Sequence, residues 1–284
     1  MFQLQNSPEY IQGSEDWLNF RKTKITATDS IVIMGASHWK TKQQLYKEKI
    51  SDENINISNE RMQRGLDLEP IARDLYCIQS GHEVFPRVIV KDWIMASLDG
   101  LSDCGKYLVE IKCPGEKDHA IALAGKVPDH YYPQLQHQMH VCGVEMMDYF
   151  SFDGNNGVIV EIFRDDEYIE KMIVEEKKFY DCLMNKTPPE PSESDYIERE
   201  DDLWTSCAMK WKTLKEAMKG LEKEEEDLRK QLIFLAGESN TKGGGISLCQ
   251  VTRKGNVDYG KIAELKSIDL EQYRKSPITS WRIV

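Results

Sequence analysis

The sequence predicts an α/β fold, in which a central mixed sheet is flanked by helices and followed by a C-terminal appendage of one helix and a β-hairpin. Three observations carry this reading. Short strand-like runs alternate with helix-patterned segments through the first two thirds of the chain. The stretch "TPPEPSESDYIEREDD", residues 187–202, is rich in Pro, Ser and acids and too poor in aliphatics to bury a surface, so it reads as a linker. Beyond it, apolar residues recur at Trp211, Leu214, Met218, Leu221, Leu228 and Leu232, the spacing of one helix face. The expected boundaries are a core over 1–186, a linker over 187–203 and an appendage over 204–284.

In chain order, "ITATDSIVIMG" reads as a helix start, with Thr26 or Thr28 as N-cap and Asp29 in the first turn. "NERMQRGLDLEPIARDLYCIQSG" is a helix ending at Gly81, with a break or kink expected at Pro70. "EVFPRVIV", "WIMASLDGL" and "YLVEIKC" are strands. "PDHYYPQLQHQMHVCG" is a helix that tolerates Pro133 in its first turns. A strand "GVIVEIF" and a helix "DDEYIEKMIVEEKKFYDCLM" complete the order α-α-β-β-β-α-β-α. In the appendage, Gly237 is the expected C-cap of the long helix. "KGGGISLCQVTRKGNVDYGKI" reads as a hairpin turning at Lys254-Gly255-Asn256 and entering a last helix.

Composition narrows the function. The 284 residues carry 37 Lys+Arg against 48 Asp+Glu, a net charge of -11, which argues against a basic DNA-coating protein. No apolar run is long enough to span a bilayer, and "MFQLQNSPEYIQGSEDW" has no leader pattern. Seven cysteines are scattered without a CxxC pair, which speaks against a disulfide framework and a zinc ribbon. A soluble, reduced, cytoplasmic protein is the expectation.

The chemistry is expected in "SLDGLSDCGKYLVEIKCP", residues 97–114. If the hairpin folds about Cys104-Gly105, cross-strand partners have numbers summing to 209, which pairs Asp99 with Glu110. Opposed side chains there lie ~5 Å apart, and two carboxylates at that distance repel unless a cation sits between them. Glu110 and Lys112 project from one strand face, while Val109 and Ile111 point into a core. An ExK tripeptide alone is common and reads as a solvated strand face. A DG eleven residues upstream, with strand pattern on both sides, favours a site. Oxygen ligands suit Mg²⁺ or Mn²⁺ better than zinc.

His119, His130, His137 and His140 lie close in sequence, but no third soft ligand follows at helical spacing. A structural or DNA-proximal role is expected for them. Cys113 reads as a small core residue, Gln138 as part of a polar outer face, and Gln136 has no assigned role.

Five blocks, "WLNFRKTKITATDS", "RGLDLEPIARDLY", "SLDG", "EIKCP" and "YYPQLQHQMH", stand in an order that resembles the lambda exonuclease family. These are the YqaJ-type viral recombinase nucleases of the PD-(D/E)xK restriction-endonuclease-like superfamily, and the similarity covers roughly residues 17–186. Leu98 stands where the superfamily's name has proline, and 204–284 has no counterpart in lambda exonuclease itself. The resemblance implies a restriction-endonuclease-like core. It implies that Asp99 and Glu110 hold the metals, with the carbonyl of Ile111 as a further ligand and Glu69 nearby through a water. Lys112 is the implied catalytic lysine, with Tyr131 and Gln134 on the following helix. Arg21, Thr28 and Ser97 match residues that bind the terminal 5′-phosphate; "RKTK" alone would read as a solvated turn.

The implied activity is Mg²⁺-dependent exonuclease digestion of one strand of double-stranded DNA, 5′ to 3′ from an end, using two ions, for which Mn²⁺ can substitute. It leaves 3′ single strands for phage-type annealing recombination. The implied partners are DNA ends, a single-strand annealing protein and further copies of the chain in a trimeric ring, in the cytoplasm of a bacterial or phage-infected cell. Two rivals remain at this stage: a metal-dependent endonuclease on the same fold, and a non-catalytic DNA-binding or assembly protein on a degenerate nuclease fold.

Overall fold

A computed structural model describes residues 14–51 and 60–258, together with 261, 262, 268, 273 and 275. The chain divides into two units at Tyr196/Ile197. The first contains α1 (Glu15–Lys22), β1 (Ile25–Thr26), α2 (Ala27–Ile33), α3 (Lys42–Ile50), α4 (Glu60–Ser80), β2 (Phe85–Lys91), β3 (Ile94–Leu101) and β4 (Leu108–Lys112). It continues with α5 (Glu116–Leu123), a 3-10 turn, α6 (Tyr132–Cys142), β5 (Met146–Phe152), β6 (Gly157–Phe163) and α7 (Asp166–Met184).

The sheet is mixed, as expected. Its order is β1-β3-β4-β5-β6, with β2 also paired to β3. β2 lies antiparallel along one edge of β3. The other edge is shared: β1 pairs with Ile94 and Met95, and β4 with Gly100 and Leu101. Among the described residues, no strand therefore lies beside 96–99 on that edge. β4 then runs parallel to β5, and β5 antiparallel to β6.

Helices cover both faces. Leu135 and Met139 of α6, Val32 and Ile33 of α2, and Phe179 and Leu183 of α7 pack with Met147 and Tyr149 of β5. On the opposite face, Ala72 and Tyr76 of α4 pack against Val109, Ile111, Phe150 and Phe152. Val109 and Ile111 thus enter the core as their alternation predicts.

Several expectations need correction. The central strand β5, the two-residue β1 and the helices α1, α3 and α5 were absent from the predicted order. The sequence of β5, "MMDYFSF", is mostly buried, so it lacks the alternation that marks a half-exposed strand. α4 runs through Pro70 without a break, since proline removes one backbone donor and the remaining turns keep their bonds. Of the two caps expected for α2, Thr26 is the one used, accepting from the Asp29 N–H while Asp29 accepts from the Thr26 N–H. Residues 189–195 hold to α3: the Thr41 hydroxyl donates to Asp195 and the Gln43 amide to the Pro189 carbonyl.

The second unit holds α8 (Asp202–Ala236), capped at Gly237, and a hairpin of β7 (Thr241–Gly243) and β8 (Ile246–Leu248). The hairpin turns at Gly244-Gly245 rather than at Lys254-Gly255-Asn256. Both glycines have positive φ, 59° and 83°, the backbone that a two-residue hairpin turn demands. Most of the last helix expected after it, and residues 1–13, on which the leader expectation rests, lie outside the described residues. No helix among the described residues is long and apolar enough to cross a membrane.

The glycine of "SLDG" has a packing reason. A Cβ on Gly100 would lie 2.6 Å from Val84 Cγ2 and 2.7 Å from Val109 Cγ1, closer than carbon atoms tolerate. Gly100→Ala is expected to destabilise the first unit by about 1–3 kcal/mol, the usual cost of overpacking. A urea unfolding midpoint equal to that of the unsubstituted chain would show that the valines give way.

Candidate active site

The site begins where β3 and β4 part. Their ladder has pairs at Gly100–Val109 and Leu101–Leu108, the register expected from numbers summing to 209. One step further, the carboxylate of Asp99 accepts the Ile111 N–H at 2.8 Å. The Asp99 carbonyl turns away and accepts from Arg73 Nε at 2.7 Å. A side chain has replaced a backbone rung, and the strands diverge around it.

The unpaired edge of β3 is satisfied by side chains from both faces. The carbonyls of Met95, Ser97 and Asp99 accept from His137 Nε2 at 3.2 Å, Gln138 Nε2 at 3.5 Å and Arg73 Nε. His137 and Gln138 come from α6 and Arg73 from α4. The guanidinium of Arg73 also holds Glu69, one helical turn before it.

Glu110 lies at the centre, only 2% exposed. Its Oε1 accepts from Lys112 Nζ and Gln134 Nε2, both at 2.5 Å, and its Oε2 from Gln138 Nε2 at 2.5 Å. Gln134 and Gln138 are one turn apart on α6, so a single helix face grips both carboxylate oxygens. Lys112 Nζ also sits 5.3 Å from the centre of the Tyr131 ring. Burial opposes its ammonium, but the carboxylates of Glu110 and Asp99 outweigh that and raise its pKa. Asp99 is driven the other way from an ordinary carboxylate, well upward, by burial and by the nearby charge of Glu110. Burial also pushes the Tyr131 phenol up, leaving a neutral donor.

These donors fit a hard divalent cation. Two carboxylates crowd one fork, and burial together with the charge of Glu110 makes Asp99 resist ionisation. Beside them, the amide oxygens of Gln134 and Gln138 are buried with no hydrogen-bond partner among the described residues. Unsatisfied acceptors next to carboxylates suit a hydrated ion, whose waters donate. Among the described residues, no three His, Cys, Asp or Glu side chains form a ready-made metal cluster. Glu69, engaged by Arg73, is not gathered with Asp99 and Glu110 as a direct ligand.

The residues expected to bind a phosphate are partly brought together. Arg21 donates to Thr28 Oγ1 at 2.6 Å and stacks over Trp17. Below them Asp29 forms a buried ion pair with Lys49 at 2.7 Å. Ser97 lies on β3, two residues beyond Met95, which pairs with Thr26. Lys22 and Lys24 reach the carbonyls of Ser51 and Asp92.

Sequence reasoning missed three residues. Gln138, read as an outer-face residue, is fully buried and binds Glu110. Gln136 clamps β6 to α7, donating to the Phe163 carbonyl and accepting the Asp165 N–H at 2.9 Å each. Arg73 had a signal, the i,i+4 spacing from Glu69, that went unused. The structural reading of His137 holds, since it is buried between Glu176 and Met95.

Residues 16–145 match the model of the YqaJ-like viral recombinase domain. The crystal structure of LHK-Exo in complex with dAMP is 31% identical, with a TM-score of 0.54, and the match covers 61% of this chain and 94% of that one. The chain belongs to the YqaJ-like viral recombinase family. A second structure, the alkaline exonuclease LHK-Exo from Laribacter hongkongensis, is 29% identical with the same TM-score and coverage. The uncharacterized protein YqaJ of Bacillus subtilis (strain 168) is 29% identical over 175 residues, 58% of this chain. The match spans 55% of that relative's length.

The raised pKa of Asp99 sets a pH dependence in this YqaJ-like chain. Between its unfolded and folded pKa values, the folded state binds the extra proton, so stability falls as pH rises through that window. Without divalent cations, Asp99→Asn is expected to melt a few degrees above the unsubstituted chain at pH 8. The gap should close as pH falls through the folded pKa of Asp99. Coincident melting curves at pH 8 would contradict the strain at this carboxylate.

Proposed function

We propose that this chain is a Mg²⁺-dependent double-strand DNA exonuclease that digests one strand 5′ to 3′ from an end. The observation that carries the reading is the buried Glu110–Lys112 pair facing Asp99 where β3 and β4 part. Family membership and the 31% identity to an exonuclease structure support it. The product, a 3′ single strand, suits annealing-type recombination with a single-strand annealing protein as partner. The resemblance adds a trimeric ring and the cytoplasm of a bacterial or phage-infected cell.

Asp99, Glu110 and the carbonyl of Ile111 would hold the metal, two ions by resemblance, with Mn²⁺ able to replace Mg²⁺. Once bound, these ions supply Lewis-acid polarisation of the phosphodiester and make water more acidic. The chain's own residues do the positioning. Gln134 and Gln138 fix both oxygens of Glu110, and Arg73 fixes the backbone of Asp99. Lys112 remains an ammonium, so it donates to the attacking water or to a phosphate oxygen and does not act as the base. The Tyr131 ring holds that ammonium from one side, and its neutral hydroxyl is a donor for the substrate. Arg21 with the Thr28 hydroxyl forms a charge-assisted phosphate contact, and Ser97 extends it toward Asp99.

Lys112→Ala is expected to lower cleavage of linear duplex by at least ~100-fold, with affinity for DNA changed only a few-fold. Activity should disappear in EDTA and return with Mg²⁺, a 5′ label should be released before a 3′ label, and closed circular duplex should stay intact. An active Lys112→Ala chain contradicts the site, whereas cut circles contradict the exonuclease reading.

Arg21→Ala should slow digestion of 5′-phosphorylated ends ~10-fold or more, the scale of a lost charge-assisted hydrogen bond, and 5′-hydroxyl ends much less. Equal losses on the two substrates would remove Arg21 from end recognition.

A further inference from the structure

The long helix α8 spans 35 residues, about 52 Å at 1.5 Å per residue, and none of its residues is buried. Its apolar residues follow a heptad from Trp204 to Leu235. Leu214, Leu221, Leu228 and Leu235 occupy one core position of that repeat, after Cys207. Trp204, Trp211, Met218 and Leu232 occupy the other, and Glu225 is the single charged residue in it. Leu214 and Leu221 are each 65% exposed. A seam this regular needs an apolar partner of equal length.

Charge identifies the partner and its direction. Residues 210–219 hold four lysines and one glutamate, whereas residues 222–227 hold five acids and one lysine. In a parallel pair, Glu225 would face Glu225 of the partner subunit inside the seam. Lys210 would also approach Lys215 of the partner subunit. Both contacts set like charges together. An antiparallel pair in which facing residues have numbers summing to 439 removes both conflicts and keeps the whole seam. Met218 then meets Leu221 of the partner subunit, and Trp211 meets Leu228 of the partner subunit. Glu225 faces Leu214 of the partner subunit, and Lys215 lies across from Glu222 of the partner subunit. The lysine-rich half of each helix runs along the acidic half of the other.

We propose that α8 is a self-association surface, which pairs antiparallel with α8 of a second copy of this chain. The pairing is independent of the catalytic reading and of any assembly formed by the first unit.

The native Cys207 supplies the test. In the antiparallel pair it lies opposite Leu232 of the partner subunit, and far from Cys207 of the partner subunit. The full-length chain carrying Leu232→Cys, mildly oxidised, should form a dimer whose mapped disulfide joins positions 207 and 232. Within one helix these positions are about 37 Å apart, so that bond must link two chains. The unsubstituted chain should form no 207–207 bond. Lys215→Glu should reduce the 207–232 cross-link at least five-fold in the Leu232→Cys chain, and adding Glu222→Lys should restore it. As a check independent of the cysteine, sedimentation of the otherwise unsubstituted chain should show Lys215→Glu weakening self-association and Lys215→Glu/Glu222→Lys recovering it. A 207–207 bond, or no 207–232 bond together with sedimentation unchanged by Lys215→Glu, overturns the proposal. The second outcome is the one expected if another segment of the same chain covers the helix.

Discussion

A carboxylate with almost no access to water governs the arrangement of the first unit. Removing Glu110 from solvent costs several kcal/mol unless charge and hydrogen bonds replace the water it loses. Three donors do so: the ammonium of Lys112 on the same strand, and the amides of Gln134 and Gln138 on α6. The position of α6 follows from this, since two glutamines one turn apart must both reach one carboxylate. The 3-10 turn before α6 places the Tyr131 ring beside the Lys112 ammonium, which keeps partial access to solvent. Lys112 is held more firmly as a cation than a free lysine, because both nearby carboxylates favour its charge. Such a group orients and neutralises; it is poorly suited to removing a proton.

The same economy shapes the edge of β3. A buried strand edge with no neighbour leaves carbonyls that must be satisfied. Here α6 and α4 satisfy them from opposite faces, and the strand is left open where Asp99 leans into the gap. His137 illustrates how fully this is built into the core. Burial disfavours its charged form, but the carboxylate of Glu176 and the carbonyl of Met95 more than compensate and raise its pKa. A histidine so engaged belongs to the scaffold, which is why the i,i+3 pair with His140 makes no metal site.

The hairpin register was legible because strand alternation is strict. Once Val109 and Ile111 were assigned to a core, Glu110 and Lys112 had to share the other face, and Asp99 had to oppose Glu110. The glutamines were less legible. Helical spacing groups Gln134 with Gln138, but it does not say whether their shared face meets solvent or a buried carboxylate. β5 escaped notice for a related reason: a strand covered on both faces loses the periodicity that identifies it. The C-terminal hairpin was misplaced because lysine and asparagine around one glycine were weighed above two adjacent glycines, although only the latter supply two positive φ angles without steric cost.

The net charge of -11 has to be reconciled with the polyanionic substrate of the proposed function. Residues 187–202 hold seven acids against Arg199, and the acidic stretch of α8 adds another dense group. Neither lies in the strands that build the fork. Near the site the cations are already engaged: Lys49 with Asp29, Lys112 with Glu110, and Lys22 and Lys24 with backbone carbonyls. Arg21 presents its charge through the neutral Thr28 hydroxyl, as Lys24 does through a neutral carbonyl. On the proposed reading, a phosphate backbone would approach two crowded carboxylates that have one ammonium, Lys112, paired with them. On that reading, the further positive charge would arrive with the metal, which would make the carboxylates tolerable to the protein and to DNA by the same act of binding.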